Sequence, residues 1–244
     1  RSRGLGDVYK RQSQSNAGLK IMGTDNLFHK RKAKKASSLE RRKAKRAPYA
    51  KILIVCEGEK TETNYFEDIV NYYSLNSANV EVCGDCGSDP MSIFKYAKQR
   101  FREEKDLGDQ FDKVYCVFDK DSHANYSAAV SAIKTMTPKN VYYAITSVPC
   151  FEYWLLLHFN YSTQPFVSTP AKSSGAMAVD KLKEYMPHYE KAQQSLFSEL
   201  IEQLEFAKQN SVRALKQAEE RDDDNPSTRV HWLVDFMQNI KSSK

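Results

Sequence analysis

From Lys51 onward, short unbroken apolar runs alternate with stretches whose apolar residues recur every three or four positions. The runs Ile52–Cys56, Asn79–Cys83, Val114–Phe118 and Val141–Thr146 have the length and composition of strands, the unbroken ones buried on both faces. Between the first two, Tyr65, Phe66, Ile69, Val70 and Tyr73 predict a helix over Thr61–Ser74, with Thr61 or Thr63 as its cap. Asp89-Pro90 opens a second helix with proline in its favoured first position, and Ile93, Phe94, Ala97 and Phe101 supply its buried face. A third helix follows around Ala128–Met136, with Val130 and Ile133 inward. Such alternation predicts an α/β fold: a four-stranded, mainly parallel sheet flanked by helices and joined by right-handed crossovers.

The pattern changes after Ser147. Val148-Pro149-Cys150 stops the fourth strand, and Phe151–Phe159 is apolar all round, which predicts a buried helix with one carboxylate, Glu152. Residues 160–178 read as loop. Helices are expected near 178–186, 191–220 and 229–241, the last introduced by Asn225-Pro226-Ser227-Thr228. The expected organisation is an α/β domain over 49–160 with an all-helical C-terminal extension, 161–244, packed on it.

Acidic residues stand where two of the apolar runs end. Glu57-Gly58 follows the first strand, and Asp119-Lys120-Asp121 follows the third. Ligands of open parallel sheets gather beyond the carboxyl ends of the strands, and carboxylates brought together there repel one another unless a hard cation lies between them. Glu57, Asp119 and Asp121 are therefore the expected ligands of Mg2+ or Mn2+. His123, two residues on, is of the residue type suited to carry a proton, and it can equally ligate metal, donate to a phosphate oxygen or cap the next helix. Glu152 on its apolar helix needs a cation or a hydrogen-bond donor to face. His158 on that helix reads as a satisfied core histidine, and Asp222-Asp223-Asp224 as a solvated helix end. Lys60 and Lys191 can offset transition-state charge, although neither stands in a specific motif.

Charge divides the 244-residue chain. Residues 1–46 hold 15 Lys and Arg against three acidic residues, or +12, which leaves 22 basic against 28 acidic residues, or −6, for the rest. The segment 22–48 has too few large apolar side chains to fold alone, and a disordered or nascent-helical basic arm is expected there. Its Lys30, Arg31, Lys32, Lys34, Lys35, Arg41, Arg42, Lys43, Lys45 and Arg46 are candidate nucleic-acid-binding residues, since charge at this density releases counterions from phosphates. A solubility tail is the plainer alternative. Residues 1–21 carry no element signature and resemble translated adapter sequence, so Met22 is the expected start and the leader is set aside.

Mean hydropathy is −0.65, and no apolar stretch approaches the length of a membrane span, so a soluble chain without a membrane partner is expected. Five cysteines, an odd number with two in core strands and no secretory signal ahead of them, point to a reducing compartment, with the cytoplasm as the expected location. The pair Cys83 and Cys86 lacks the second pair that a zinc site needs.

Four segments together resemble one known family: Cys56-Glu57-Gly58-Glu59-Lys60-Thr61-Glu62, Val117-Phe118-Asp119-Lys120-Asp121-Ser122-His123, Pro149 through Phe159, and Asn225-Pro226-Ser227-Thr228. They are similar to the RloB family over about Met22 to the C terminus. That family is associated with restriction loci and abortive-infection defence, often beside an ATPase gene, and is regarded as Toprim-like. The resemblance implies a Toprim-like fold with a glutamate after strand one and Asp-x-Asp after strand three, met here by Glu57, Asp119 and Asp121. It further implies a second glutamate near strand one that helps bind metal, for which Glu62 is the choice, and a carboxylate after strand four, Glu152. The plainer reading of Glu59 and Glu62 is attraction to the amino terminus of the first helix.

In function, the resemblance implies a Mg2+- or Mn2+-dependent nuclease acting on RNA, tRNA among the options, or on DNA, under the control of a partner ATPase. Asp119 and Asp121 would hold the cation, while Glu57 would position water or act as general base. The competing class is a non-catalytic module in which the cation site grips nucleic acid or the ATPase.

Overall fold

A computed structural model of the chain describes residues 37–58, 60–84, 86–87, 89–120 and 123–242. All four apolar runs form strands: β1 (Ile52–Cys56), β2 (Val80–Cys83), β3 (Lys113–Asp119) and β4 (Tyr142–Val148). These four are parallel, and a two-residue strand, β5 (Ser227–Thr228), pairs antiparallel with β4 to give the order β2-β1-β3-β4-β5. The expected four strands are thus five. Ser227 and Thr228 are too few and too polar to show periodicity; register brings them opposite Val148 and Ser147, where the Ser147 and Thr228 hydroxyls lie 3.1 Å apart.

Helices flank the sheet on both faces, and the alternation of side chains along β1 and β3 assigns them. Ile52, Ile54, Cys56, Tyr115 and Val117 share a core with α2 (Thr61–Tyr72), α5 (Glu152–Leu156), α8 (Leu204–Arg221) and α9 (Val230–Asn239). Leu53, Val55, Val114, Cys116 and Phe118 pack on the opposite face against α3 (Pro90–Asp106) and α4 (Tyr126–Thr135). The C-terminal third therefore joins the sheet's own core through α9 and its edge through β5.

Element boundaries follow local chemistry. Asp89 caps α3, its carboxylate accepting from Met91 N at 3.1 Å and Ser92 N at 3.2 Å. The expected cap of α2 is different: Lys60 holds the cap position with no side-chain bond, while Thr63 Oγ1 donates to Gly58 O at 2.9 Å and Thr61 Oγ1 accepts from Ala192 N at 3.0 Å. That second bond, with Asn64 Nδ2 donating to Ala192 O at 2.8 Å, ties down the loop before α7 (Leu196–Glu199). Ala192 and Ser195 take left-handed backbone angles there. The sequence pattern predicts one long helix over 191–220; the chain instead runs through α7, a 3-10 turn (Ile201–Gln203) and α8. Ahead of α7, α6 (Ser174–Lys183) packs on α5. The buried helix expected over 151–159 is regular only through α5.

At the amino end of β1 lies a buried charge network. Lys51, 5% exposed, donates Nζ to Glu104 Oε2 at 2.7 Å and to Asp109 Oδ2 at 2.9 Å, with the Phe111 ring 4.7 Å from the ammonium. The described part of the basic arm completes it: residues 37–44 form a helix, α1. Arg42 donates to both Glu104 oxygens at 2.9 and 2.7 Å, and Arg46 donates to Asp109 Oδ1 at 2.9 Å. Burial would raise the Glu104 carboxyl, but hydrogen bonds from Lys51 and Arg42 outweigh it and hold the group below the usual carboxylate range. Leu39, on the same α1 face, sits where a Cβ on Gly108 would meet it at 3.2 Å; Gly108 also has a φ of +74°, so glycine serves both needs.

Candidate active site

The sheet order reverses direction at β1 and β3. The chain leaves β1 for β2 through α2 on one face and leaves β3 for β4 through α4 on the other, so a crevice opens beyond the carboxyl ends of β1 and β3. Glu57 and Asp119 stand at that crevice. The Asp119 amide donates to Glu57 Oε2 at 3.0 Å, and His123 Nε2 lies 2.7 Å from Glu57 Oε1. Asp119 Oδ2 in turn accepts from the Phe151 amide at 3.1 Å, which ties the end of β3 to the start of α5.

Two further carboxylates close on this pair. Glu62, 8% exposed in the first turn of α2, lies against Gly58, whose missing side chain leaves its carboxylate room. Glu152, 2% exposed at the start of α5, accepts from Tyr189 Oη at 3.1 Å and has Lys191 Nζ 3.5 Å away. The group is short of positive charge. Burial first, then the charges of Glu152 and Glu57, push Glu62 up to about 7; burial, then Glu62 and Glu152, push Asp119 well above the carboxylate range. Lys191 answers only in part, raised by Glu152 with its side chain 70% exposed.

Among the described residues, no three His, Cys, Asp or Glu side chains are arranged to hold a metal ion, and Asp121 and Glu59 lie outside the described residues. The donor chemistry nonetheless fits a hard divalent cation. Oxygen donors predominate, and two of the four carboxylates are driven toward protonation by burial and then by one another's charge, which such a cation would offset. Cys83 and Cys86 form no disulfide, Cys86 Sγ donating to Gly84 O at 3.1 Å, and among the described residues they join no such group.

A family model described as RloB-like protein matches residues 52–237, a span running from β1 into α9 and carrying every described carboxylate of this site. The chain belongs to the RloB-like family. Comparison with curated proteins and with solved structures gives no match. In this RloB-like chain, the structure brings Glu57, Asp119, His123, Glu62 and Glu152 to one crevice. Of the basic residues, Lys30, Arg31, Lys32, Lys34 and Lys35 lie outside the described residues; Arg41, Lys43 and Lys45 are exposed, whereas Arg42 and Arg46 face the protein's own carboxylates. His158 is buried and hydrogen-bonded to helix carbonyls, its pKa lowered to about 4 by burial. Sequence reasoning gives Tyr189 no role; it reaches Glu152 from a loop 37 residues away, a separation that no motif marks. No helix among the described residues is long and apolar enough to cross a membrane.

Proposed function

We propose that this RloB-like protein is a divalent-cation-dependent phosphodiester hydrolase acting on nucleic acid, an effector of the family's defence role working with a partner ATPase. The observation that carries the reading is the crowding of Glu57, Glu62, Asp119 and Glu152 at the sheet's switch point, with Glu62 and Asp119 held above the carboxylate range. Asp119, with Asp121 from the same motif, Glu62 and Glu152 would hold Mg2+ or Mn2+. Bound there, the cation would supply charge neutralisation at phosphate and an acidified water.

The chain's own groups account for the protons. Hydrolysis forms one P–O bond to water as the ester P–O bond breaks; water loses a proton and the leaving oxygen gains one. Glu57 and His123, 2.7 Å apart, are the pair placed to take up and return it, with the Asp119 amide fixing the orientation of Glu57. Lys191 extends from solvent to Glu152 and can offset charge on phosphate.

The test is incubation of the protein with RNA and DNA, single- and double-stranded, in Mn2+ or chelator, with and without the partner ATPase. Metal-dependent cleavage that Asp119→Asn abolishes is the expected result. Absence of cleavage under every condition, with nucleic acid or ATPase still bound, would establish a non-catalytic module instead.

A further inference from the structure

Past Asp119 the surface changes character. Lys120, its side chain 41% exposed, holds Nζ 2.5 Å from Asp224 Oδ1 and 5.8 Å from the Tyr126 ring centroid. On the neighbouring strand, Thr146 pairs with Phe118, one residue before Asp119. Arg229 is docked on Thr146 twice, its amide donating to Thr146 O at 2.9 Å and Nη1 to Thr146 Oγ1 at 2.8 Å. Its guanidinium carbon stands 5.6 Å from the ring centroid of Trp232, which is 48% exposed in the first turn of α9. Between Lys120 and Arg229 opens a cleft of about 360 Å3, lined also by Glu219, Asp222, Asp223 and Asp224.

A half-exposed tryptophan beside an arginine has two faces to offer a polynucleotide. The ring stacks on any base, and the guanidinium keeps donors free to turn toward the adjoining phosphate. Four carboxylates in the same cleft bear on which polynucleotide fits. A duplex presents about one negative charge per 1.7 Å of axis and hides its base faces in its own stack, so it would meet repulsion here without reaching Trp232. A single strand has lower charge density and open base faces. In the free protein Asp224 occupies Lys120, the place that a phosphate would take.

We infer that Trp232, Arg229 and Lys120 form a track for a single-stranded polynucleotide, with a base stacked on Trp232 and the backbone led over Arg229 and Lys120 to the carboxylate crevice. The inference rests on the hydrolase reading only for what happens at the end of the track. It is therefore tested by binding in chelator, where nothing is cleaved.

Fluorescein-labelled unstructured RNA, the DNA strand of the same sequence and the matching duplexes are titrated with the full chain and followed by anisotropy. Trp232→Ala is expected to weaken binding of the single strand, RNA or DNA, about tenfold and to leave the duplex unchanged, while Trp232→Phe keeps most of the affinity. Asp224→Asn, which frees Lys120, is expected to strengthen single-strand binding severalfold. Saturation should quench the exposed Trp232 emission of the wild type, with the buried Trp154 as the constant background. No single-strand binding, an unchanged affinity in Trp232→Ala, or equal loss for strand and duplex would overturn the track. Binding with this pattern but no cleavage once Mn2+ is restored would leave the track standing and remove the hydrolase reading.

Discussion

The amide of Asp119 donates to Glu57 Oε2 at 3.0 Å, so the residue that closes β3 fixes the side chain that follows β1. Gln at position 57 keeps an acceptor for that amide but gives up the charge that faces His123. Glu57→Gln is therefore expected to melt within a few degrees of the wild type while cleavage falls at least a hundredfold. Circular dichroism melts beside a nuclease assay separate the two effects. Equal losses in stability and activity would make Glu57 a structural residue.

Burial of Glu62, and after it the charges of Glu152 and Glu57, sets a pH dependence. Because the folded-state pKa of Glu62 is raised from its ordinary value to about 7, the proton it binds stabilises the fold fully below about pH 4.5, and that contribution is lost as pH rises through 7. The span corresponds to roughly 3 kcal/mol. In chelator, melting temperature should fall between pH 5 and pH 8, and Glu62→Gln should flatten the fall. Saturating Mg2+ should reverse it, since a cation stabilises the ionised cluster. An apo profile identical in wild type and Glu62→Gln would contradict the raised pKa.

Gly58 leaves the Glu62 carboxylate its place in the site. A Cβ there would collide with Glu62 Oε2. Gly58→Ala should cost about 1–3 kcal/mol, and the cost should shrink when Glu62→Ala is added, a coupling that a double-mutant cycle in denaturant reads directly. Strict additivity would show that Glu62 moves aside freely.

Lys51 holds Glu104 and Asp109 in a nearly dry place. Lys51→Ala leaves two buried carboxylates without their central cation and is expected to destabilise by about 3–5 kcal/mol. Arg42→Ala, at a side chain 41% exposed, should cost about 1 kcal/mol or less. Urea unfolding compares them; similar midpoints would show that the network is not centred on Lys51.

The parallel strands and their order of appearance are legible in the sequence because β1 and β3 are buried on both faces and leave no polar interruption. For the same reason Glu57 and Asp119 stand out, as the first charges after those runs. The elements that escape are those whose stability is not local. β5 is two hydroxyl residues made a strand by β4 alone, and the loop that replaces the first turn of the helix expected over 191–220 is held by Ala192 bonding to Thr61 and Asn64 more than a hundred residues away. Glu62 is legible from its place one turn into the first helix and through family resemblance, whereas its burial against Gly58 is not. Arg42 and Arg46 read as part of a uniform basic run, and only the tertiary placement of Glu104 and Asp109 tells them from Arg41 and Lys43.

Ser147 and Thr228 meet across 81 residues of chain. On a ribosome adding about 5–20 residues per second, β4 waits roughly 4–16 s for the strand that covers its edge and for Arg229, which docks on Thr146. Until then the nascent chain presents a bare sheet edge beside its acidic crevice. A chain built this way lacks the strand that covers β4 until Thr228 emerges, and in that interval its open edge would be most exposed to chaperones or to a neighbouring nascent copy.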